Sequence, residues 1–245
     1  MSNQPILKAN NITKIFGGLV ALKNVDLTLA QDEILGLIGP NGAGKTTLFN
    51  VIAGALKPNR GSIEFKDQDI TNKRPDERCH LGIARTFQIT KPFQNMDLIE
   101  NVMVGSYFGK KQTNVEQAIK KAEEIIDFVG MGEMIHLEAK SLSIGNRKKL
   151  ELARALATDP EVLLLDEVIG GLNPTESKEV LEIIIKMKES GIAIVMIEHV
   201  MKAVMSVSDR MIVLDHGEVL ARGTPKEIAE NPDVIEAYLG GVKHA

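Results

Sequence analysis

Gly39-Pro40-Asn41-Gly42-Ala43-Gly44-Lys45-Thr46 is the stretch that decides the fold. It matches Gly-x-x-x-x-Gly-Lys-[Ser/Thr], and its flanks are the ones that pattern requires. The apolar run Ile34–Ile38 precedes it, and Thr47-Leu48-Phe49-Asn50-Val51-Ile52-Ala53, helical in character, follows. Glycines let the backbone turn tightly, so successive N–H groups point inward, and the start of the helix adds a favourable field for an anion. The loop is therefore expected to cradle nucleotide phosphates. Lys45 would reach the β- and γ-phosphates, and the Thr46 hydroxyl would ligate Mg2+.

Two further apolar runs share the character of Ile34–Ile38. Val162–Leu165 closes on Asp166 and Glu167, and Ile192–Ile197 closes on Glu198 and His199. Each reads as a strand buried on both faces. In an open α/β sheet ligands gather at the carboxyl ends of the strands, where these polar residues fall. An apolar run ending in acids is by itself an ordinary strand end. After a phosphate loop in the same chain it gains a chemical meaning: Asp166 would hold Mg2+ through water, and Glu167 would polarise an attacking water as general base.

The rest of the chain is organised around this core. Ile6–Ala9, Ile12–Lys14 and Val25–Leu29 read as antiparallel strands, with Gly61–Phe65 joining them in a small β layer. Between about 90 and 155 the βα alternation stops. Val115, Ala118, Ile119, Ala122, Ile125, Ile126 and Val129 follow helical spacing, which predicts an inserted helical subdomain. A helix is expected from Asn173, with Pro174 in its first turn and Glu176 completing a capping box.

Composition removes several classes of function. Across 245 residues, 29 basic and 33 acidic side chains leave a net charge of −4, so no basic field suited to nucleic acid is expected. Arg147-Lys148-Lys149 is the densest basic cluster and reads as a solvated helix face. The single cysteine, Cys79, excludes an intrachain disulfide, and the five histidines lack zinc-ligand spacing. No secretory signal is read in Met1–Lys8, and no apolar run approaches the roughly 20 residues of a spanning helix.

A phosphate loop alone does not separate GTPases, kinases and transport ATPases. No guanine-reading Asn-Lys-x-Asp is present. The discriminating element is Leu142-Ser143-Ile144-Gly145-Asn146, where Ser143 would cap a helix running through Arg147–Ala157. Together these motifs resemble the ATP-binding subunits of ABC transporters, from about Leu7 to Leu239 and in family order. They are the P-loop Gly39–Thr47, a Q-loop at Gln88, the signature Leu142–Asn146, the acidic strand Val162–Glu167, a D-loop at Gly171-Leu172-Asn173 and a switch histidine at His199.

The resemblance implies one ABC ATPase domain over 1–245. Residues 1–89 and 156–245 would form a P-loop α/β core with its β layer, and about 90–155 the helical subdomain. It implies ATP and Mg2+ as cofactors. Gly39, Pro40, Asn41, Gly42, Ala43, Gly44, Lys45, Thr46 and Thr47 would bind the nucleotide, with Phe16 against adenine. Thr46, Gln88 and Asp166 would serve the metal, and Glu167, His199 and Gln88 the hydrolysis. Ser143 and Gly145 would contact the ATP held by a second ATPase subunit, identical or paralogous, in a head-to-tail sandwich. The remaining partners implied are integral-membrane permeases and, indirectly, a solute-binding protein, with the chain peripheral on the cytoplasmic face of the plasma membrane. Phe93, Met96 and Leu98 are expected to form part of a groove for a permease helix.

The chain departs from the family pattern at Ile144, Asn146, Val168 and Asn173, none of which removes a charge the chemistry needs. Finer texture is similar to the branched-chain amino-acid uptake ATPases: Phe16–Leu22, Gly82–Gln88, Glu100–Gly105, Gly170–Pro174 and Ile197–Lys202. Lipopolysaccharide-export and urea-uptake ATPases share much of it, and non-transport ABC ATPases are the alternative of another class.

Overall fold

The computed structural model describes residues 4–86, 92–110 and 114–239. The chain divides into two compact units, one formed by Met1–Pro75 with Ala193–Ala245 and the other by Asp76–Ile192.

The first unit begins with β1 (Pro5–Phe16) and β2 (Leu19–Ala30), paired antiparallel, then β3 (Ile34–Ile38) and α1 (Lys45–Ile52). β4 (Arg60–Phe65) adds to the other edge of β1, and the short β5 (Gln68–Asp69) completes the order β2-β1-β4-β5. The two strands expected at Ile6–Ala9 and Ile12–Lys14 are one. The intervening Asn10-Asn11 is a bulge rather than a turn: the register slips between Ala9 and Ile12, and Asn11 takes the left-handed φ of 51° that asparagine tolerates. Bulges and turns use the same residues, so the sequence alone reads either.

The second unit opens on α2 (Pro75–Leu81) and β6 (Ile83–Arg85), then α3 (Leu98–Phe108), α4 (Val115–Phe128), α5 (Ile144–Ala157), β7 (Val162–Asp166) and α6 (Pro174–Glu189). Among the described residues three α-helices, with short 3-10 turns at Gly132–Met134 and Ala139–Ser141, fill the segment where the strand alternation lapses. α4 buries Ala118, Ala122, Ile125 and Ile126, the stripe its spacing predicts. α3, α4 and α6 start with capping boxes, Asp97/Glu100, Asn114/Gln117 and Asn173/Glu176, each satisfying two otherwise orphaned amides. β6 runs parallel to β7 with Ile83 opposite Val162.

The chain then returns to the first unit with β8 (Ala193–Ile197), α7 (Met201–Val207), β9 (Arg210–Asp215), β10 (Glu218–Gly223), α8 (Pro225–Glu230) and α9 (Pro232–Leu239). β3 lies between β8 and β9, parallel to both, and β10 pairs antiparallel with β9. Every residue of β3 and β8 is buried, which is why both read as unbroken apolar runs. Ile38, Val204, Met211, Val213, Ile228 and Val234 form one core cluster beneath α7, α8 and α9.

Candidate functional site

β3 delivers the phosphate loop. Leu37 pairs with Ile197 of β8 and Ile38 with Val213 of β9, so Gly39, Glu198-His199 and Asp215 leave three neighbouring strands at the same end. The loop backbone depends on glycine. Gly39 has φ 148°, and a Cβ there would lie 2.1 Å from the Leu214 carbonyl oxygen. Gly44 has φ 101°, with a Cβ 2.7 Å from the Ala21 oxygen. From behind, the Gly217 N–H donates to the Ala43 carbonyl (3.1 Å), and the Lys23 N–H donates to the Gly217 carbonyl (2.8 Å).

Gly44 is also the N-cap of α1. No side chain caps that helix, and its first turn holds no acid. No side chain in its first turn therefore competes with an anion for the positive end of its dipole. Lys45 is buried, and its ammonium donates to the carbonyls of Gly39 (2.6 Å) and Pro40 (2.9 Å), spanning the loop it belongs to. Thr46 is exposed and Thr47 half-buried. His199 is exposed and follows Glu198, which is buried. Phe16, at the end of β1 before the Gly17-Gly18 turn, is 43% exposed, with the Lys14 ammonium 5.1 Å from its ring centre. It is an exposed aromatic face rather than a core residue.

In the second unit β7 delivers Asp166, which is 2% exposed. β6 grips it twice. The Arg85 guanidinium donates to its Oδ2 at 2.9 Å, and its own N–H donates to the Thr86 hydroxyl at 3.1 Å. Thr86 is fixed in turn by its N–H on the Leu164 carbonyl (2.9 Å). Glu167 then takes φ 51°, a left-handed conformation that costs a non-glycine residue of order 1–3 kcal/mol. Its carbonyl accepts from the Lys148 ammonium (2.9 Å) and from the Gly170 N–H (3.3 Å).

The same unit carries the signature segment. Ser143 caps α5, its Oγ accepting from the Asn146 N–H at 3.2 Å. Gly145 is buried, and a Cβ there would meet the Glu176 carboxylate at 2.7 Å. Ile144 is 60% exposed, so its bulk meets no resistance within the chain. Val168 lies buried, an apolar filling in the place of the family's proline, and Asn173 caps α6 as an aspartate would. Gln88 lies outside the described residues. Of the expected groove residues, Phe93 and Met96 are exposed, with the Arg154 guanidinium 5.0 Å from the Phe93 ring, whereas Leu98 is fully buried in its own unit.

Four participants were not legible in the sequence. Arg85 and Thr86 carry no role in the sequence beyond belonging to the family-like stretch Gly82–Gln88, and Lys148 reads as one of three solvated bases; it is 7% exposed. Tyr238, on α9, is the fourth. Burial pushes its phenol upward in pKa, while the Gly39 N–H donating to its oxygen pulls the other way. That contact joins the far end of the chain to the phosphate loop, and no local pattern announces it.

Among the described residues no three His, Cys, Asp or Glu side chains gather into a metal cage. A hydroxyl (Thr46) and a single carboxylate (Asp166) are hard oxygen donors. Each, taken within its own unit, is the kind of donor that Mg2+ favours.

A strand–loop–helix phosphate cradle on an α/β chain, with an uncapped helix behind its lysine, defines a P-loop nucleotide-binding cassette. The ABC transporter family model matches residues 22–170, and a model described as branched-chain amino acid ATP-binding cassette transporter matches 218–244. The high-affinity branched-chain amino acid transport ATP-binding protein LivG of Escherichia coli K12 is 41% identical, covering 97% of this chain and 99% of that protein. BraF of Pseudomonas aeruginosa, with the same description, is 36% identical over the same shares. Among solved structures, the ADP conformation of an ATP-binding cassette of an ABC transporter superposes with a TM-score of 0.89 at 34% identity, covering 97% of this chain and 99% of that one. The chain belongs to the ABC transporter family, as an ATP-binding cassette whose ATP hydrolysis powers transport. The α/β fold with an N-terminal antiparallel sheet and a helical segment, expected from the sequence, is that of these cassettes.

Proposed function

We propose that this chain is the ATPase subunit of a branched-chain amino-acid uptake transporter. The observation that carries this reading is the phosphate loop of the first unit, with α1 uncapped, Lys45 buried across the loop and His199 leaving the neighbouring strand. Cargo class is supported by the relatives' descriptions and by the match over 218–244, the part of the chain that carries Tyr238.

Lys45, the loop amides and the α1 dipole would bind the phosphates of ATP, and Phe16 would stack on adenine. Thr46, Asp166 and Gln88 would hold Mg2+, which when bound neutralises phosphate charge. Arg85 and Thr86 keep the Asp166 carboxylate in one orientation. Glu167 would accept the proton of the attacking water, and His199 would donate to the γ-phosphate.

Ser143 and Gly145 would act on the nucleotide of a second ATPase subunit. A solved cassette in a dimeric post-hydrolysis state with ADP and phosphate supports this assembly, at 26% identity and a TM-score of 0.78. Membrane permeases would carry the cargo path, a reading supported by the transport descriptions of the relatives. The exposed Phe93 and Met96 are proposed to receive them, with the chain peripheral on the cytoplasmic face. Proteoliposomes holding the chain, its permeases and a solute-binding protein should accumulate labelled leucine only with ATP. Uptake of another cargo class with no leucine uptake would overturn the cargo assignment and leave the ATPase reading intact.

A further inference from the structure

α5 carries two adjacent lysines with different fates. Lys149 pairs with a carboxylate, Glu179, at 2.6 Å, as helix lysines commonly do. Lys148 turns inward, is 7% exposed and gives its ammonium to a backbone carbonyl, that of Glu167, at 2.9 Å. Burying an ammonium is costly unless it is paired or well hydrogen-bonded, so the carbonyl it chooses is informative. That carbonyl belongs to a residue held at φ 51°, where the chain reverses directly after β7 and the direction of the Glu167 side chain is set. A second donor on this carbonyl, the Gly170 N–H, is longer at 3.3 Å. Without Lys148 that carbonyl loses the shorter of these two bonds, which favours relaxation of the left-handed peptide toward the ordinary extended or right-handed basins. The carboxylate would swing with it.

We propose that Lys148 is a positioning residue for ATP hydrolysis: its buried ammonium locks the left-handed Glu167 backbone that aims the general base. The inference rests on the reading of Glu167 as that base. It also ties the helix that starts at Ser143 to the hydrolytic elbow of its own chain through one side chain.

The test is steady-state ATP hydrolysis by the purified chain, wild type against Lys148→Met, Lys148→Arg and Glu167→Gln, with melting temperature and nucleotide affinity measured alongside. Misplacing a catalytic group by about 1 Å can cost about 10²-fold. Lys148→Met is therefore expected to lower kcat about 10- to 100-fold with KM for ATP within about twofold, and Lys148→Arg, which keeps a charged donor, to recover most of it. In the Glu167→Gln background Lys148→Met should cause little additional loss, because the two act through one group. Wild-type kcat in Lys148→Met, or kcat and KM moving together with the melting temperature, would overturn the proposal. Should Lys148→Met not fold, Lys148→Gln carries the same split and the same refutation. Full activity in Glu167→Gln would bring down the general-base reading and this inference together. Loss in Glu167→Gln with none in Lys148→Met would bring down this inference alone.

Discussion

The starts of α1 and α5 are both glycine-bearing helix N-termini, yet they are built differently. α1 begins at Gly44, uncapped and in a left-handed conformation, with Lys45 in its first turn. α5 begins at Ser143, whose hydroxyl already serves the Asn146 amide, in an extended conformation. α3, α4, α6 and α8 go further, each closing its amides with a capping box that includes Glu or Gln. The gradient runs from helices closed by a capping box, through one closed by a single hydroxyl, to one with no side-chain cap. A missing cap does not by itself mark an anion site, since α7 also starts without one; α1 differs in starting from a left-handed glycine within a Gly-rich loop whose lysine spans it.

Removing the lysine is the severest way to probe the contrast. Lys45→Ala should lower nucleotide binding and turnover by at least about 10²–10³-fold, as loss of a preorganised charge stabiliser does, while circular dichroism stays native. Near-normal turnover would erase the distinction between the two helix starts. Gly39→Ala forces a Cβ to 2.1 Å from the Leu214 carbonyl. Overpacking of that kind costs about 1–3 kcal/mol, so thermal unfolding should move down by several degrees and ATP affinity should fall with it. An unchanged melting curve would show that the loop is looser than its geometry.

Ser143→Ala sharpens the intermediate case. Loss of a cap costs about 1 kcal/mol, a shift of roughly 2–4 °C in a chain of this size. If Ser143 also serves an anion, turnover should fall by more than that stability loss explains. A matched small fall in both would reduce Ser143 to a cap. Asn173→Ala is the control, expected to cost about the same 1 kcal/mol with nucleotide affinity unchanged.

The smallest effect concerns α8. The Thr224 N–H and hydroxyl both donate to Glu227 and hold its carboxyl below the usual carboxylate range. A depressed folded value means the contribution is complete above the unfolded carboxylate pKa and fades as pH falls through the folded one. Acid titration followed by NMR should show the Glu227 resonance moving at lower pH than in Thr224→Val. Coincident titrations would remove the cap's electrostatic part.

The phosphate loop, the acidic strand end and the capping boxes were legible because each is local. Their residues are neighbours in sequence, and their spacing is dictated by one turn of helix or one strand end. Asn10-Asn11 was misread because a bulge and a turn place the same demand on a residue. Arg85, Thr86, Lys148 and Tyr238 were opaque for a different reason. The bonds of Arg85 and Thr86 to Asp166, of Lys148 to Glu167 and of Tyr238 to Gly39 join residues far apart in the chain. Nothing in the local composition around a lysine says which distant carbonyl it will meet.

β3, the strand that launches the phosphate loop, is flanked only by β8 and β9, both from beyond residue 192. During synthesis the loop therefore leaves the ribosome long before the strands that brace it. At about 5–20 residues per second, the wait between Ile38 and Asp215 is roughly ten to thirty seconds. Over that interval the Gly-rich loop has β2 at Ala21 beside it but neither of the strands that pair with β3, and the whole second unit is made in between. Bracing of the phosphate loop by both paired strands is thus complete only after the chain has been made past Asp215.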